Sequence, residues 1–258
     1  MMKELAGKAA VVTGGARGLG AVTARGYVEA GMRVAIMDLR DDAGHALARE
    51  LGDAATFIPC DVSSPDSVER GFEMADQSLG GIDILAAAAG LDRPGHAAGE
   101  ISFEIWSQVM GVNATGTFLT NQAAYRRMRA RGWGRIINFS SVAGIRGYAG
   151  RAAYAASKGA VMAWTRSAAQ AWGAQGIVVN AVAPQMRTEV ADRYIASRSR
   201  EETEAFEAHL AKVVPVEGRL GDPDQEFLPL MLFLAGDGVR FITGQTFAVD
   251  GGMTMLGS

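Results

Sequence analysis

Tyr154 and Lys158 stand four residues apart in the run Tyr154-Ala-Ala-Ser-Lys158, with Ser141 thirteen residues upstream and Asn113 further upstream still. On a helix this spacing puts a phenol and an ammonium on one face, a turn apart. A free phenol, with a pKa of about 10, is a poor base at neutral pH. An ammonium about 4 Å away would stabilise the phenolate by about 4 kcal/mol at an effective dielectric of about 20, less what burial takes back. That would lower the phenol pKa by about three, into the range where one side chain exchanges a proton with an alcohol or a ketone. The spacing therefore assigns Tyr154 as acid/base and Lys158 as the group that lowers its pKa. Ser141 would hydrogen-bond the substrate oxygen as charge develops there.

Proton transfer of this kind needs a hydride acceptor, and the N-terminal region offers a place for one. Thr13-Gly-Gly-Ala-Arg-Gly-Leu-Gly20 follows a β-branched run and precedes a helical pattern. Gly14, Gly18 and Gly20 let backbone N–H groups approach a pyrophosphate, with the positive end of the helix behind them. The spacing differs from the commoner Gly-x-Gly-x-x-Gly fingerprint, so the strand–turn–helix context carries the reading. Asp38 ends the next strand, where a carboxylate accepts bonds from the adenosine ribose hydroxyls and repels a 2′-phosphate. Arg17, beside the turn, would favour that phosphate. The carboxylate is the more direct obstacle, which makes NAD the expected cofactor and NADP the rival. Asp61 and Val62 end the third strand, either at the adenine or, for Asp61, as a turn cap.

These residues need a scaffold, and its pattern is repetitive. Strand-like runs at Lys8–Val12, Arg33–Asp38, Ala55–Cys60, Ile82–Ala88, Gly134–Ser141, Gly176–Ala183 and Thr246–Asp250 alternate with helical ones. The helices are read at Gly18–Ala30, Asp41–Leu51, Pro65–Leu79, Ala114–Arg131, Arg151–Trp172 and Pro223–Leu234, with Ser64 and Asp222 as caps ahead of first-turn prolines. Such alternation implies α/β architecture with a parallel sheet covered on both faces. The 258 residues read as one domain without a linker. Residues 188–225 are long, charged and strandless, and are read as a substrate lid.

Composition narrows the function classes. A net charge of −3 gives no basis for nucleic-acid binding, and the Arg126, Arg127, Arg129, Arg131, Arg135 run reads as a solvated helix end. No apolar run is long enough to span a bilayer, and the N-terminus lacks the long apolar stretch of a signal peptide. The single cysteine, Cys60, suits a reducing compartment and reads as a core residue. His45, His96 and His209 lack metal-ligand spacing, so no metal is expected. The expectation is a soluble, cytoplasmic protein acting on a small molecule.

Along essentially its whole length the sequence resembles the short-chain dehydrogenases/reductases. The resemblance rests on Thr13–Gly20, Asp61-Val62, Asn113, Ser140-Ser141, Tyr154–Lys158, Asn180–Pro184 and Asp250-Gly251-Gly252, in that order. With Asp38, the glycine turn looks most like that of NAD-dependent bacterial hydroxysteroid and polyol dehydrogenases. The resemblance implies a Rossmann-type, doubly wound sheet of seven strands, assembled as a homotetramer with Trp164 and Trp172 at a helix-to-helix contact. It also implies that Lys158 holds the nicotinamide ribose, that Asn113 positions a water linking Lys158 to solvent, and that Leu19, Ala88, Gly90, Pro184 and Thr188 line the cofactor. Two departures stand out. Ala87-Ala88-Ala89-Gly90 replaces the family's Asn-Asn-Ala-Gly, and Pro184-Gln185 replaces Pro-Gly, with Thr188 one residue early.

The function expected from the sequence is NAD-dependent interconversion of a secondary alcohol and a ketone. The rivals are an NADPH-dependent carbonyl reductase and a catalytically silent dinucleotide sensor or scaffold. Arg93, His96, Arg146, Tyr148 and Arg151 flank the expected pocket, with the arginines read as solvated.

Overall fold

In the computed structural model, described for residues 4–255 without the Val190 side chain, strand pairing follows the predicted alternation. Residues 1–3, read from sequence as leading into the first strand, lie outside the described part, as do 256–258. The strands are β1 (Ala9–Thr13), β2 (Arg33–Asp38), β3 (Ala55–Pro59), β4 (Ile84–Ala87), β5 (Gly134–Phe139), β6 (Ile177–Pro184) and β7 (Thr246–Val249). All pair in parallel, in the order β3-β2-β1-β4-β5-β6-β7. This is the parallel sheet covered on both faces that the alternation called for, and the Rossmann-type, doubly wound single domain of seven strands that the resemblance implied. Strand order reverses between β1 and β4, and in such sheets ligands bind at the carboxyl ends beside that switch point.

The helices are α1 (Gly18–Glu29), α2 (Asp41–Leu51), α3 (Pro65–Leu79), α4 (Phe103–Met110), α5 (Gly116–Met128), α6 (Val142–Arg146), α7 (Ala152–Trp172), α8 (Glu189–Ala196), α9 (Arg200–Val213) and α10 (Leu228–Ala235). Alternate residues of β1 point to opposite faces, as a pleated strand requires. Ala10 and Val12 join Tyr27 of α1 and Met231 and Leu234 of α10 in one buried cluster. Ala9 and Val11 join Phe72 of α3, Met128 of α5 and Trp172 of α7 in the other. With both faces covered, a β1 that is apolar throughout is the expected sequence.

Three local readings are corrected and one is filled in. The helix read at Ala114–Arg131 starts earlier: Ser102 caps α4, and a π-helical segment at Gly111–Thr115 joins it to α5. Residues 188–225 are largely helical, with a capping box between Ser199 and Glu202 opening α9. Asp222 caps Pro223 as read, but the first turn there is π-helical before α10 begins. The arginine run is less solvated than composition implied. Arg126 and Arg127 clamp Glu69, and Arg131 bonds the buried Asp83 at 2.6 Å. Arg135 is 2% exposed and bonds the Gly236 carbonyl at 3.0 Å, its side chain consumed in tying β5 to the end of α10.

Candidate active site

The glycine turn is set by steric need. Gly14 has φ +64°, and a Cβ there would lie 2.5 Å from Ala89 Cα; at Gly20 it would lie 2.2 Å from the Gly14 carbonyl oxygen. Only glycine lets α1 start this close to β1 and β4. At Gly18 (φ +53°) no atom lies within 4 Å of a built Cβ, so the turn borders open space there. Arg17, the N-cap, makes no side-chain capping bond. The first-turn N–H groups of α1, at Gly18, Leu19 and Gly20, have no carbonyl one turn back to bond. A cradle of donors at a helix N-terminus fits the pyrophosphate of a dinucleotide.

Asp38 closes the cradle from β2. Its Oδ2 accepts the Ala16 N–H at 3.1 Å and its Oδ1 the Arg40 N–H at 3.0 Å, which holds the carboxylate against the turn. Arg17 and Arg40 are both exposed beside it. Asp61 accepts the Ser63 N–H at 2.9 Å and hydroxyl at 2.7 Å, the turn-cap geometry weighed from sequence. Val62 is buried against Gly116. Ala88 donates its N–H to the Thr13 carbonyl at 3.1 Å, and Ala89 donates to Thr13 Oγ1 at 3.4 Å. Thr13 thus ties β1 to β4 where alanines replace the expected asparagines. A Cβ on Gly90 would lie 3.6 Å from Lys158 Nζ, so the β4 loop runs directly past the lysine.

The residues assigned to proton transfer from the sequence come together at the same end of the sheet. Ser141 caps α6, its Oγ accepting the Ala143 N–H at 3.1 Å, and its hydroxyl faces the Tyr154 phenol. Tyr154 lies in the first turn of α7 and Lys158 one turn on, 3% exposed. The Lys158 ammonium donates to the Phe139 carbonyl at 2.6 Å and sits 5.7 Å from the Tyr154 ring centre. Asn113, fully buried in the π-helical turn, spans two elements. Its Nδ2 donates to the Leu91 carbonyl and to Ser157 Oγ, both at 2.9 Å, and its Oδ1 accepts the Leu91 N–H at 2.7 Å. Asn113 thereby locks the β4 loop onto α7. Pro184 ends β6, and the Thr188 hydroxyl caps α8 by accepting the Ala191 N–H at 3.4 Å.

The electrostatics correct one expectation. Burial pushes the Tyr154 phenol above its ordinary value; the Ser141 hydroxyl pulls it down, Asp92 pushes it up and Arg151 pulls it down. A lysine-driven fall does not emerge, because the ammonium bonds Phe139 and is itself desolvated. Burial lowers Lys158 to about 8, with Asp92 opposing the fall. Asp92 is the site residue that sequence reading passed over. It follows the β4 loop and pairs with Arg151 Nε at 3.4 Å, so Arg151 is not the solvated cation expected. Arg93 and Arg146 are exposed. Trp164 and Trp172 pack within the chain, edge-to-face on each other, with Trp164 Nε1 donating to Asn121. Cys60 is buried, its thiol pushed by desolvation to about 11, which makes it a poor nucleophile.

The family model described as "Enoyl-(Acyl carrier protein) reductase" matches residues 14–254. The chain belongs to the short-chain dehydrogenase/reductase family. It is 38% identical over 259 aligned positions to cis-4-hydroxycyclohexanecarboxylate dehydrogenase of Sinomonas cyclohexanicum, covering 99% of this chain and 100% of the relative. Identity is 34% to 2,5-dichloro-2,5-cyclohexadiene-1,4-diol dehydrogenase of Sphingobium indicum, covering 99% and 100%. It is 35% to D-threitol dehydrogenase of Mycolicibacterium smegmatis, covering 98% and 95%. These relatives are oxidoreductases acting on alcohols, in a family that uses nicotinamide dinucleotides. No helix is long and apolar enough to cross a membrane, and no group of three or more His, Cys, Asp or Glu side chains could hold a metal, both among the described residues.

Proposed function

We propose that this protein is an NAD-dependent oxidoreductase interconverting a secondary alcohol and a ketone, with Tyr154 as general acid/base. The observation that carries the reading is Tyr154 facing Ser141, with Lys158 a turn away, at the strand ends that hold the glycine turn and Asp38. When bound, the nicotinamide supplies the hydride acceptor. Gly14, Gly18, Leu19 and Gly20 would hold its pyrophosphate with backbone donors, Asp38 the adenosine ribose, and Asp61 and Val62 the adenine edge. Ala88, Gly90, Pro184 and Thr188 would border the nicotinamide half.

Ser141 orients the substrate oxygen toward Tyr154, and the phenol passes or takes the proton. A phenol held above its ordinary pKa stays protonated at neutral pH, so it is present as the donor for a ketone oxygen and becomes the base for an alcohol only at alkaline pH. Oxidation is therefore the direction favoured by alkaline pH. Lys158, near its own titration point, keeps a positive charge beside the phenol at neutral pH and holds the ribose. Asn113 keeps the β4 loop and α7 in register around both and positions the water leading from Lys158 to solvent. The helical excursion over 188–225 serves as the lid that shapes the substrate end. Two relatives named for oxidation of ring alcohols make cyclic secondary alcohols the first class to test. The working form is a cytoplasmic homotetramer.

The Asp38 carboxylate, tied by two backbone bonds, supports NAD over NADP; exposed Arg17 is what favours the rival. The test is reduced-cofactor formation by purified protein with NAD and with NADP, across cyclic, polyol, steroid and hydroxy-acid alcohols. We expect turnover with NAD on at least one class and kcat/KM at least tenfold lower with NADP. Preference for NADP would overturn the Asp38 reading. Dinucleotide binding with no turnover on any class would favour the silent sensor.

A further inference from the structure

The loop after β4 and the loop entering α7 are joined three times. Gly95 donates its N–H to the Gly150 carbonyl at 3.2 Å, His96 and Arg151 form a parallel bridge, and Asp92 Oδ2 lies 3.4 Å from Arg151 Nε. Arg151 is the N-cap of α7 and makes no side-chain capping bond, and no acidic residue occupies the first turn. A guanidinium at that position opposes the helix dipole, which favours anions at the N-terminus. The anion comes instead from across the site, as Asp92. Its Oδ1 is buried and finds no hydrogen-bond donor among the described residues. A carboxylate unquenched on that side acts over several ångströms through protein rather than water.

Resting on the proposed function, we infer that Asp92 and Arg151 form an opposed charge clasp that positions the first turn of α7 and sets the titration of the Tyr154–Lys158 pair from either side. The groups facing Tyr154 are Ser141 from the start of α6, Asp92 from the β4 loop, Arg151 ahead of α7, and Lys158 on α7 itself. Lys158 is faced by Asp92, the Phe139 carbonyl and Asn113. The signs follow from charge. Removing a negative group makes every nearby deprotonation easier, and removing a positive one makes it harder. A residue that merely supported the loop would not move the pair in a charge-determined direction. Asp92 and Arg151 are thus positioning residues, acting through the phenol and ammonium rather than on substrate.

The test uses Asp92→Asn, Arg151→Gln and the double variant. Two readouts are taken: the pH profile of kcat/KM, and an ultraviolet difference titration of tyrosinate referenced to Tyr154→Phe. Asp92→Asn should move the apparent pKa values of the pair to lower pH by about half to one unit. Arg151→Gln should move the Tyr154 value upward by a similar amount, and the double variant should move it less than either. High salt should shrink all three shifts, since both side chains are partly exposed, 28% for Asp92 and 41% for Arg151. Equal loss of rate without a shift, or shifts of one sign in both single variants, would overturn the clasp. The tyrosinate titration needs no turnover, so an enzyme silent toward every alcohol would strike the proposed function while the titration still decides the clasp.

Discussion

Removing the charge at Asp38 should erase most of the preference for NAD. In the structure the carboxylate is pinned against the glycine turn by the Ala16 and Arg40 N–H groups, at 3.1 and 3.0 Å, so it cannot swing away from an incoming 2′-phosphate. A phosphate with a charge of about −1.5, some 5 Å from the carboxylate at an effective dielectric of about 40, meets roughly 2.5 kcal/mol of repulsion. By the relation of about 1.4 kcal/mol per tenfold, that is a fifty- to hundredfold discrimination. Asp38→Asn removes the charge and keeps one acceptor oxygen, leaving exposed Arg17 and Arg40 to receive the phosphate. The ratio of kcat/KM for NAD over NADP should fall about fifty- to hundredfold, more steeply at low salt. One backbone N–H loses its charged acceptor, so stability should drop by about 1 kcal/mol, read as a melting point a few degrees lower. The assay is steady-state kinetics with both cofactors at two ionic strengths. A ratio unchanged within about threefold would show that Asp38 does not read the ribose and would refute the electrostatic argument.

Other consequences are as direct. Lys158 is depressed from 10.5 to about 8 by burial. Below about pH 8 both folded and unfolded chains carry its proton and the burial cost is felt in full. From there to about 10.5 the unfolded chain holds more protons, so this group's destabilisation fades as pH rises. Lys158→Met should therefore abolish turnover yet stabilise the fold at pH 7 by about 1–2 kcal/mol, after losing the Phe139 bond, with the advantage closing by about pH 10.5. A wild type more stable than the variant at pH 7 in thermal melts would contradict this. Gly14→Ala should cost about 2–4 kcal/mol through left-handed strain and collision with Ala89. Gly18→Ala, facing open space, should cost only about 1 kcal/mol of stability while weakening dinucleotide affinity at least tenfold by calorimetry.

Much of this was legible in the chain because its signals are local. The bounds of β2, α2 and α3 follow from apolar runs and from Pro65 behind Ser64, and the Ser64 hydroxyl does accept the Ser67 N–H. The glycine spacing, Asp38, Ser141 and the Tyr154–Lys158 interval similarly carry their meaning within a few residues. What escaped was tertiary or masked by polarity. The α4 helix begins just after its Ser102 cap, but its exposed Phe103 and Trp106 blur the apolar stripe. The helices of 188–225 are charged on most faces, though Ser199 with Glu202 three residues on is a capping-box signal that was there to read. Asp92 has no local signature: its partner Arg151 is brought to it only by folding the β4 loop against α7. The fate of the Tyr154 phenol was equally out of reach, since the lysine's bond to Phe139 and the depth of burial are properties of the packed site.

The central claim is that Tyr154 moves the proton while hydride passes between substrate and cofactor. The most direct measurement compares wild type with Tyr154→Phe for NADH formation from a substrate alcohol, alongside calorimetric NADH affinity for both proteins. The account predicts a loss of at least a hundredfold in kcat with NADH affinity within about threefold of wild type. Wild-type-like turnover in the phenylalanine variant would contradict it outright.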